Sequence, residues 1–462
     1  MDNQKILFLI PDGVGIRNYL YSAVIDHLKN AEIVFWSPLP DAAFAEVKHL
    51  HNRDIVVKNL KLKPENSISR LLRESATYAR LRFNTKMDVN PTLMGNWEKK
   101  NKSFKLTMLY KVAEVIGTWA SGDYDRILML ESKSRQLSTR QVIEKCKADL
   151  RALKPSVVFI THQRVPGLIP VCIAAKELGI KVVTAVYSWD NLPKARMAVW
   201  ADQYLVWSEH MKQELHHYYP EISQEQVIVT GTPQFEFYDN PKHTIARETF
   251  FNRFHLNDAK KIICFSGNDV RSSPDDPSYL RDLAQEILDN GLDAEWQILF
   301  RRCPVDFSDR FDLVISQYSD LIKVADPLWH DNKLGFSSVF PAWDDVALLA
   351  STAFYADVVL NVGSTMAFDF AMYNKPAIFI NYDQQNQILK GWSVKNAYQF
   401  QHFRSMLDKD AVLWLNGRHE IAQTMQKANK ITENRAMDGW KLKVVGDYKN
   451  ASKNVSSLLE NS

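Results

Sequence analysis

The stretch from Ala356 to Asp383 reads ADVVLNVGSTMAFDFAMYNKPAIFINYD, and its pattern decides the fold. Val358 to Val362 is an apolar run bounded by a charge and a glycine, with the length of a buried strand. It closes on Gly363-Ser364-Thr365, helical spacing follows, and Lys375-Pro376 turns the chain into a second apolar run, Ala377–Asn381. Continuous runs of this kind between helices predict parallel strands covered on both faces. Gly363 would let the backbone approach a ligand closely. Ser364 is placed to cap a helix whose free N–H groups and positive dipole end suit a diphosphate, and Thr365 shares that loop. Asp369, one turn up on the same side, is placed to accept hydrogen bonds from ribose hydroxyls. The alternative is a capped strand–helix turn with nothing bound.

The same rhythm extends outward in both directions. Ile262–Ser266 ends at Gly267-Asn268-Asp269, Trp296–Phe300 at Arg301-Arg302-Cys303-Pro304, and Ser337–Phe340 is a further strand. In the first half the predicted strands are Lys5–Ile10, Ile33–Trp36, Arg126–Leu130, Ser156–Thr161, Lys181–Val186 and Gln203–Trp207. The tract Asp239-Asn240-Pro241-Lys242 reads as a linker. The expectation is an α/β chain of two Rossmann-like, doubly wound parallel-sheet domains facing across a cleft. The first spans 1–240 and the second 241–410. A helical tail, 411–462, would pack back toward the first.

At 462 residues, with 46% hydrophobic and 24% charged, the chain suits two soluble globular domains. Its four cysteines are widely spaced, which argues against a zinc site or a disulfide framework and for a reducing compartment. No run has the length of a membrane span, so a cytoplasmic or peripheral location is expected. The net charge of +3 is uneven: residues 56–111 hold thirteen Lys/Arg against four Asp/Glu, a local +9, and the remainder carries −6. This segment contains an amphipathic helical pattern from Ser67 to Phe83 and reads as a basic helical insertion. It is either a contact for an anionic membrane surface or acceptor, or a solvated face packed on the domain. A nucleic-acid partner is not expected, since no recognition motif is present.

Ligands of open parallel sheets bind beyond the carboxyl ends of the strands. That rule selects Asp12, His162 and Asp190 in the first half as candidates for the general base that transfer to a hydroxyl requires. His162 and Asp190 are also a possible pair, with the carboxylate orienting the imidazole. In the second half it selects Arg301 or Arg302 as a phosphate clamp and Trp343 as a stacking partner for a nucleobase, or else as a core residue. Asp123-Tyr124-Asp125 imitates a metal-binding DxD but precedes a predicted strand and so lies at the wrong edge. Gly13-Val14-Gly15 is only a fragment of a dinucleotide fingerprint.

Val359–Thr365 with Asp369 and Lys375–Phe379 resembles the donor-binding segment of GT-B glycosyltransferases. The resemblance is closest to surface-polysaccharide transferases, of capsule or lipopolysaccharide type, and to the CDP-glycerol glycerophosphotransferase group. Ile298–Asp306 is similar to that group's Arg-Pro-His-Pro-type segment, with Arg301 at the arginine and Cys303 where the histidine stands. Ser188–Leu192 and Val229–Gln234 resemble further segments of such enzymes. Asp369 stands where many carry a ribose-binding glutamate. The resemblance implies a bacterial, metal-independent transferase without a cofactor. Its donor would be a nucleotide sugar, UDP- or CDP-linked, and its acceptor a glycan or lipid-linked molecule. Glycerophosphate transfer, a UDP-sugar 2-epimerase of the same fold, and a degenerate glycan-binding scaffold are the competing readings.

Overall fold

The computed structural model describes residues 4–99, 103–331 and 339–462. The chain divides into two compact units: residues 1–233, 400–402 and 444–462 form the first, and residues 234–399 and 403–443 the second.

The first unit is built on seven strands: β1 (Lys5–Leu9), β2 (Glu32–Ser37), β3 (Val56–Asn59), β4 (Val157–Ile160), β5 (Lys181–Ala185), β6 (Gln203–Val206) and β7 (Val227–Val229). All pair in parallel in the order β3-β2-β1-β4-β5-β6-β7. The apolar runs are strands because both faces are covered: Ile6–Leu9 and Val157–Ile160 have no exposed surface. The run at Arg126–Leu130 is not a strand. It lies in a helix, Tyr124–Gln136, whose Ile127 and Leu130 pack on Ala76 and Ala79 of the helix Ser67–Met87. Asp123 caps that helix by accepting from Asp125 N, which explains the DxD imitation.

The basic excursion between β3 and β4 turns two of its arginines inward onto carboxylates. Arg80, fully buried, pairs with Glu131 at 2.9 Å and Glu221 at 3.0 Å. Arg73 meets Glu65 at 2.7 Å and Glu74 at 3.1 Å. Because the partners of Arg80 lie outside residues 56–111, the local excess of +9 overstates the charge this segment shows to solvent by that one group.

The second unit repeats the plan with β8 (Lys261–Ser266), β9 (Trp296–Arg301), β10 (Ile322–Val324), β13 (Val358–Asn361), β14 (Ala377–Ile380) and β15 (Leu413–Leu415). A separate antiparallel pair is β11 (Trp329–His330) with β12 (Phe340–Pro341); Ser337 and Ser338 of the expected strand lie outside the described residues. The six-stranded sheet has the order β10-β9-β8-β13-β14-β15, all parallel. Two boundaries differ from expectation. The segment 239–242 is no linker, because it lies inside the second unit, which begins at Gln234. Residues 411–443 are no tail either, since β15 completes the second sheet. The segment from Val444 onward belongs to the first unit, where Ser456 Oγ donates to Val24 O at 2.9 Å.

Candidate active site

Each sheet reverses its strand order once, between β1 and β4 in the first unit and between β8 and β13 in the second. The crevice beyond the carboxyl ends of those strand pairs is where open α/β sheets bind ligands.

In the first unit this crevice holds Asp12, just past β1, and His162, just past β4. Their meeting depends on Gly15. A Cβ there would lie 2.3 Å from Thr161 Oγ1, so only glycine lets the turn after β1 close onto the end of β4. Asp12 Oδ1 accepts from Val14 N at 3.1 Å and Gly15 N at 3.4 Å, and Oδ2 pairs with His162 Nδ1. Both side chains are buried. Burial raises the Asp12 pKa, but the facing His162 ring and the two amides outweigh it and leave it below its ordinary value. The Tyr187 ring crosses His162 edge-on at 4.1 Å. His162 Nε2 is buried with no hydrogen-bond partner among the described residues.

This corrects the expected pairing of His162 with Asp190. Asp190 follows β5, one strand further from the crevice, and its carboxylate is spent locally. It accepts from Ser188 Oγ at 2.6 Å and Asn191 Nδ2 at 2.9 Å and pairs with Lys194. Burial raises its pKa, yet Lys194, His402 and the Ser188 hydroxyl drive it far below the usual range. A carboxylate so stabilised is a poor base, and Asp190 serves as a brace. His402, edge-on to Trp189 at 4.7 Å, is pushed down by burial to a pKa of about 4, against the pull of Asp190. Tyr187, Lys194 and His402 were not singled out from the sequence. Only Lys194, four residues from Asp190, carried a local signal.

The second unit is filled differently. Asn361 ends β13, and its Oδ1 accepts from Ser364 N at 2.8 Å. Gly363 has φ +61, and a Cβ would stand 2.6 Å from the Phe403 ring, so glycine is demanded by backbone and packing. Ser364 Oγ accepts from Met366 N at 3.3 Å, while Thr365 holds the N-cap position of a six-residue helix, Met366–Ala371, without a side-chain cap bond. Gly363–Met366 are partly exposed. Asp369 accepts a hydrogen bond from Tyr238 Oη at 2.7 Å. Arg301 is buried against Asp345 at 2.8 Å, and Asp345 also accepts from Leu328 N and Trp329 Nε1. The expected clamp is thus committed to a protein carboxylate. Arg302 is held by Asp326 at 2.7 Å. Trp343 stands before the helix Asp344–Tyr355 with its ring edge-on to His243 at 5.3 Å. Beyond β9 a 450 Å³ cavity is lined by Arg302, Asp306, Asp309, Asp312 and Asp326, a lining too acidic for a diphosphate.

No protein-family model matches the chain. A 173-residue stretch is 29% identical to the teichoic acid poly(ribitol-phosphate) polymerase of Bacillus spizizenii, covering 36% of this chain. The chain spans about a quarter (24%) of the length of that curated relative. Among solved structures, the chain is similar over 99% of its length to the UDP-GlcNAc 2-epimerase from Methanocaldococcus jannaschii, all of which is covered, with TM-score 0.54 at 10% identity. It is similar over its whole length to a glycosyltransferase from Rickettsia africae, 99% of which is covered, with TM-score 0.51 at 10% identity. The fold is GT-B. In GT-B terms, the Asp12–His162 dyad belongs to the first sheet and the Gly363 loop to the second, each at its own switch point.

Proposed function

We propose that this chain transfers a group from a nucleotide-linked donor to a hydroxyl of a glycan or lipid-linked acceptor in surface-polysaccharide synthesis. The observation that carries this reading is the unpartnered, buried Nε2 of His162, whose ring is oriented by Asp12. A neutral imidazole held through Nδ1 presents Nε2 as an acceptor. It takes the proton of the attacking hydroxyl, and Asp12 stabilises the resulting imidazolium. The hydroxyl oxygen forms the new bond while the bond to the nucleotide breaks. With a sugar donor the nucleoside diphosphate leaves; with a CDP-glycerol donor the attack falls on phosphorus and CMP leaves. The relative's printed name, a poly(ribitol-phosphate) polymerase, favours transfer of a phosphate-linked group, and the GT-B fold accommodates both.

Donor recognition is assigned to the Gly363-Ser364-Thr365 loop and Asp369. Thermal unfolding with UDP, CDP, GDP and dTDP tests it. A nucleotide at about 100 times its Kd adds roughly 2.7 kcal/mol, a shift that Ser364→Ala with Asp369→Ala should abolish. Turnover then separates the chemistries. Donor consumption only with an acceptor supports a transferase, conversion without one supports an epimerase, and no shift with any nucleotide supports a scaffold.

A peripheral membrane position is part of the same proposal, and it rests on the helix Phe104–Ala120. Among the described residues no helix is long and apolar enough to cross a membrane. Phe104, Met108, Val112, Val115 and Trp119 nonetheless recur on one face of this helix and are exposed, Phe104 by 82% and Val115 by 72%. Exposed Lys105 and Lys111 flank the stripe. An apolar band bordered by lysines is suited to lie in an anionic bilayer surface. Co-sedimentation with phosphatidylglycerol vesicles should be lost in Phe104→Glu with Val115→Glu. Retained binding, or an oligomer dissolved by the same changes, would reject this assignment.

A further inference from the structure

The loop that carries His162 is surrounded by polar atoms without partners. His162 Nε2, Gln163 Oε1, Arg164 Nε and Arg196 Nη2 are all buried and unsatisfied among the described residues. Buried polar atoms in folded proteins find partners in protein, ordered water or ligand, and a ligand carrying an anion and a hydroxyl would pair these four. The backbone brings them together: Gln163 O accepts from Ala198 N and Val199 N, both at 3.0 Å, fixing the 162–164 turn beside the segment that follows Arg196. Gln163 Nε2 reaches Asn191 Oδ1 at 3.3 Å, leaving only its oxygen free.

The arginines around these atoms are only partly paired. Arg164 makes no hydrogen bond or ion pair among the described residues. The nearest carboxylate to Arg196 is Glu74, whose Oε2 lies 3.5 Å from Nη1 and is itself unsatisfied. Glu74 Oε1 is shared with Arg73, which also engages Glu65. Burial lowers the Arg196 pKa, Glu74 and the more distant Glu98 raise it, and Arg73 and Arg164 lower it further, so three guanidinium groups share one neighbourhood. Arg164 also acts on the buried phenol of Tyr187, the residue packed on His162. The cluster therefore adjoins the proposed base.

We infer that Arg164 and Arg196 form an oxyanion subsite for the acceptor, so that the hydroxyl approaching His162 belongs to a molecule carrying a phosphate or carboxylate close by. Guanidinium groups offer paired N–H donors that match both oxyanions, and here Arg164 Nε and Arg196 Nη2 are buried without a partner among the described residues. Gln163 Oε1 supplies an acceptor for a neighbouring hydroxyl, which suits a polyhydroxylated, anionic chain. The subsite rests on the transferase reading for the identity of its ligand as acceptor, and it extends that reading from a hydroxyl to an anionic hydroxyl compound.

Calorimetric titration of the whole chain with glycerol 1-phosphate, glucuronate, uncharged glycerol and CDP tests the inference. Wild type should bind at least one of the two anions and not glycerol. Arg164→Gln and Arg196→Gln should each weaken the anion about tenfold or more, with CDP affinity unchanged. Because Arg164 has no protein partner to lose, Arg164→Gln should unfold no lower than wild type, so weakened binding cannot be attributed to misfolding. Binding of neither anion, or variants that bind like wild type, would overturn the subsite. Parallel loss of CDP would place the donor's diphosphate there and overturn its assignment to the acceptor. Failure of the functional reading is distinguishable: His162→Gln should cut transfer about a hundredfold or more but leave anion binding through the arginines, and anion binding without transfer to any acceptor would sink the transferase and spare the subsite.

Discussion

At the switch point of the first sheet, polar side chains are left with atoms to spare, whereas in the second unit the arginines expected to clamp the donor are already engaged. His162, Gln163 and Arg164 keep buried groups unpaired. Arg301, by contrast, is closed onto Asp345, and Arg302 is held by Asp326. Two sheets of matching strand order thus carry sites of different character. In the proposed function the first takes the polar, charged acceptor. In the second, the proposed function leaves the partly exposed Gly363-Ser364-Thr365 loop and Asp369 to the donor. The difference separates residues whose loss should cost activity from those whose loss should cost stability.

The largest effect is expected where the contrast is sharpest. His162→Gln can keep a hydrogen bond to Asp12 but removes the base, and turnover should fall about 10²–10⁴-fold while nucleotide-induced stabilisation persists. Activity within tenfold of wild type would break the distinction. Arg301→Ala should do the reverse. It strands a buried Asp345, and denaturant unfolding should show a loss of about 3–5 kcal/mol. A stable Arg301→Ala that no longer binds nucleotide would return Arg301 to the donor site.

Much of this fold was legible in the sequence because buried parallel strands are continuous apolar runs, as at Val358–Val362 and Lys181–Val186. The exceptions have physical causes. Arg126–Leu130 looks like a strand but has a helical environment, set by the alanine face of Ser67–Met87 that packs on it. The strand Leu413–Leu415 is only three residues long, and it exists because β14 offers an edge. At the site, the choice among Asp12, His162 and Asp190 depended on strand order, which no local pattern encodes. Gly363 shows the same limit: sequence required a glycine, but the Phe403 ring that occupies the Cβ position comes from forty residues further on. Gly363→Ala should therefore cost about 1–3 kcal/mol of stability with or without nucleotide. A loss confined to nucleotide affinity would restore the ligand-approach explanation.

The smallest effect is one of sign, and it opposes the two units directly. His402 in the first unit is held neutral by burial, with its pKa pushed down to about 4. The unfolded imidazole takes up a proton near pH 6.5, so between roughly pH 6.5 and 4 the unfolded state binds more protons. Stability from this group is complete above the upper limit and is lost as pH falls through the window. Asp276 in the second unit is displaced the other way. Burial raises its carboxyl to about 6, although Ser273 and the Asn268 amide pull it down. Here the folded state binds the extra proton between roughly pH 4 and 6, so this group's contribution falls as pH rises through that range. The wild-type pH profile sums the two and should be shallow. His402→Gln should remove the acid-side loss, Asp276→Asn should remove the loss on the way up, and each should tilt the melting temperature in the opposite direction. Profiles that tilt together would show that one of the two burials is not what sets the proton balance.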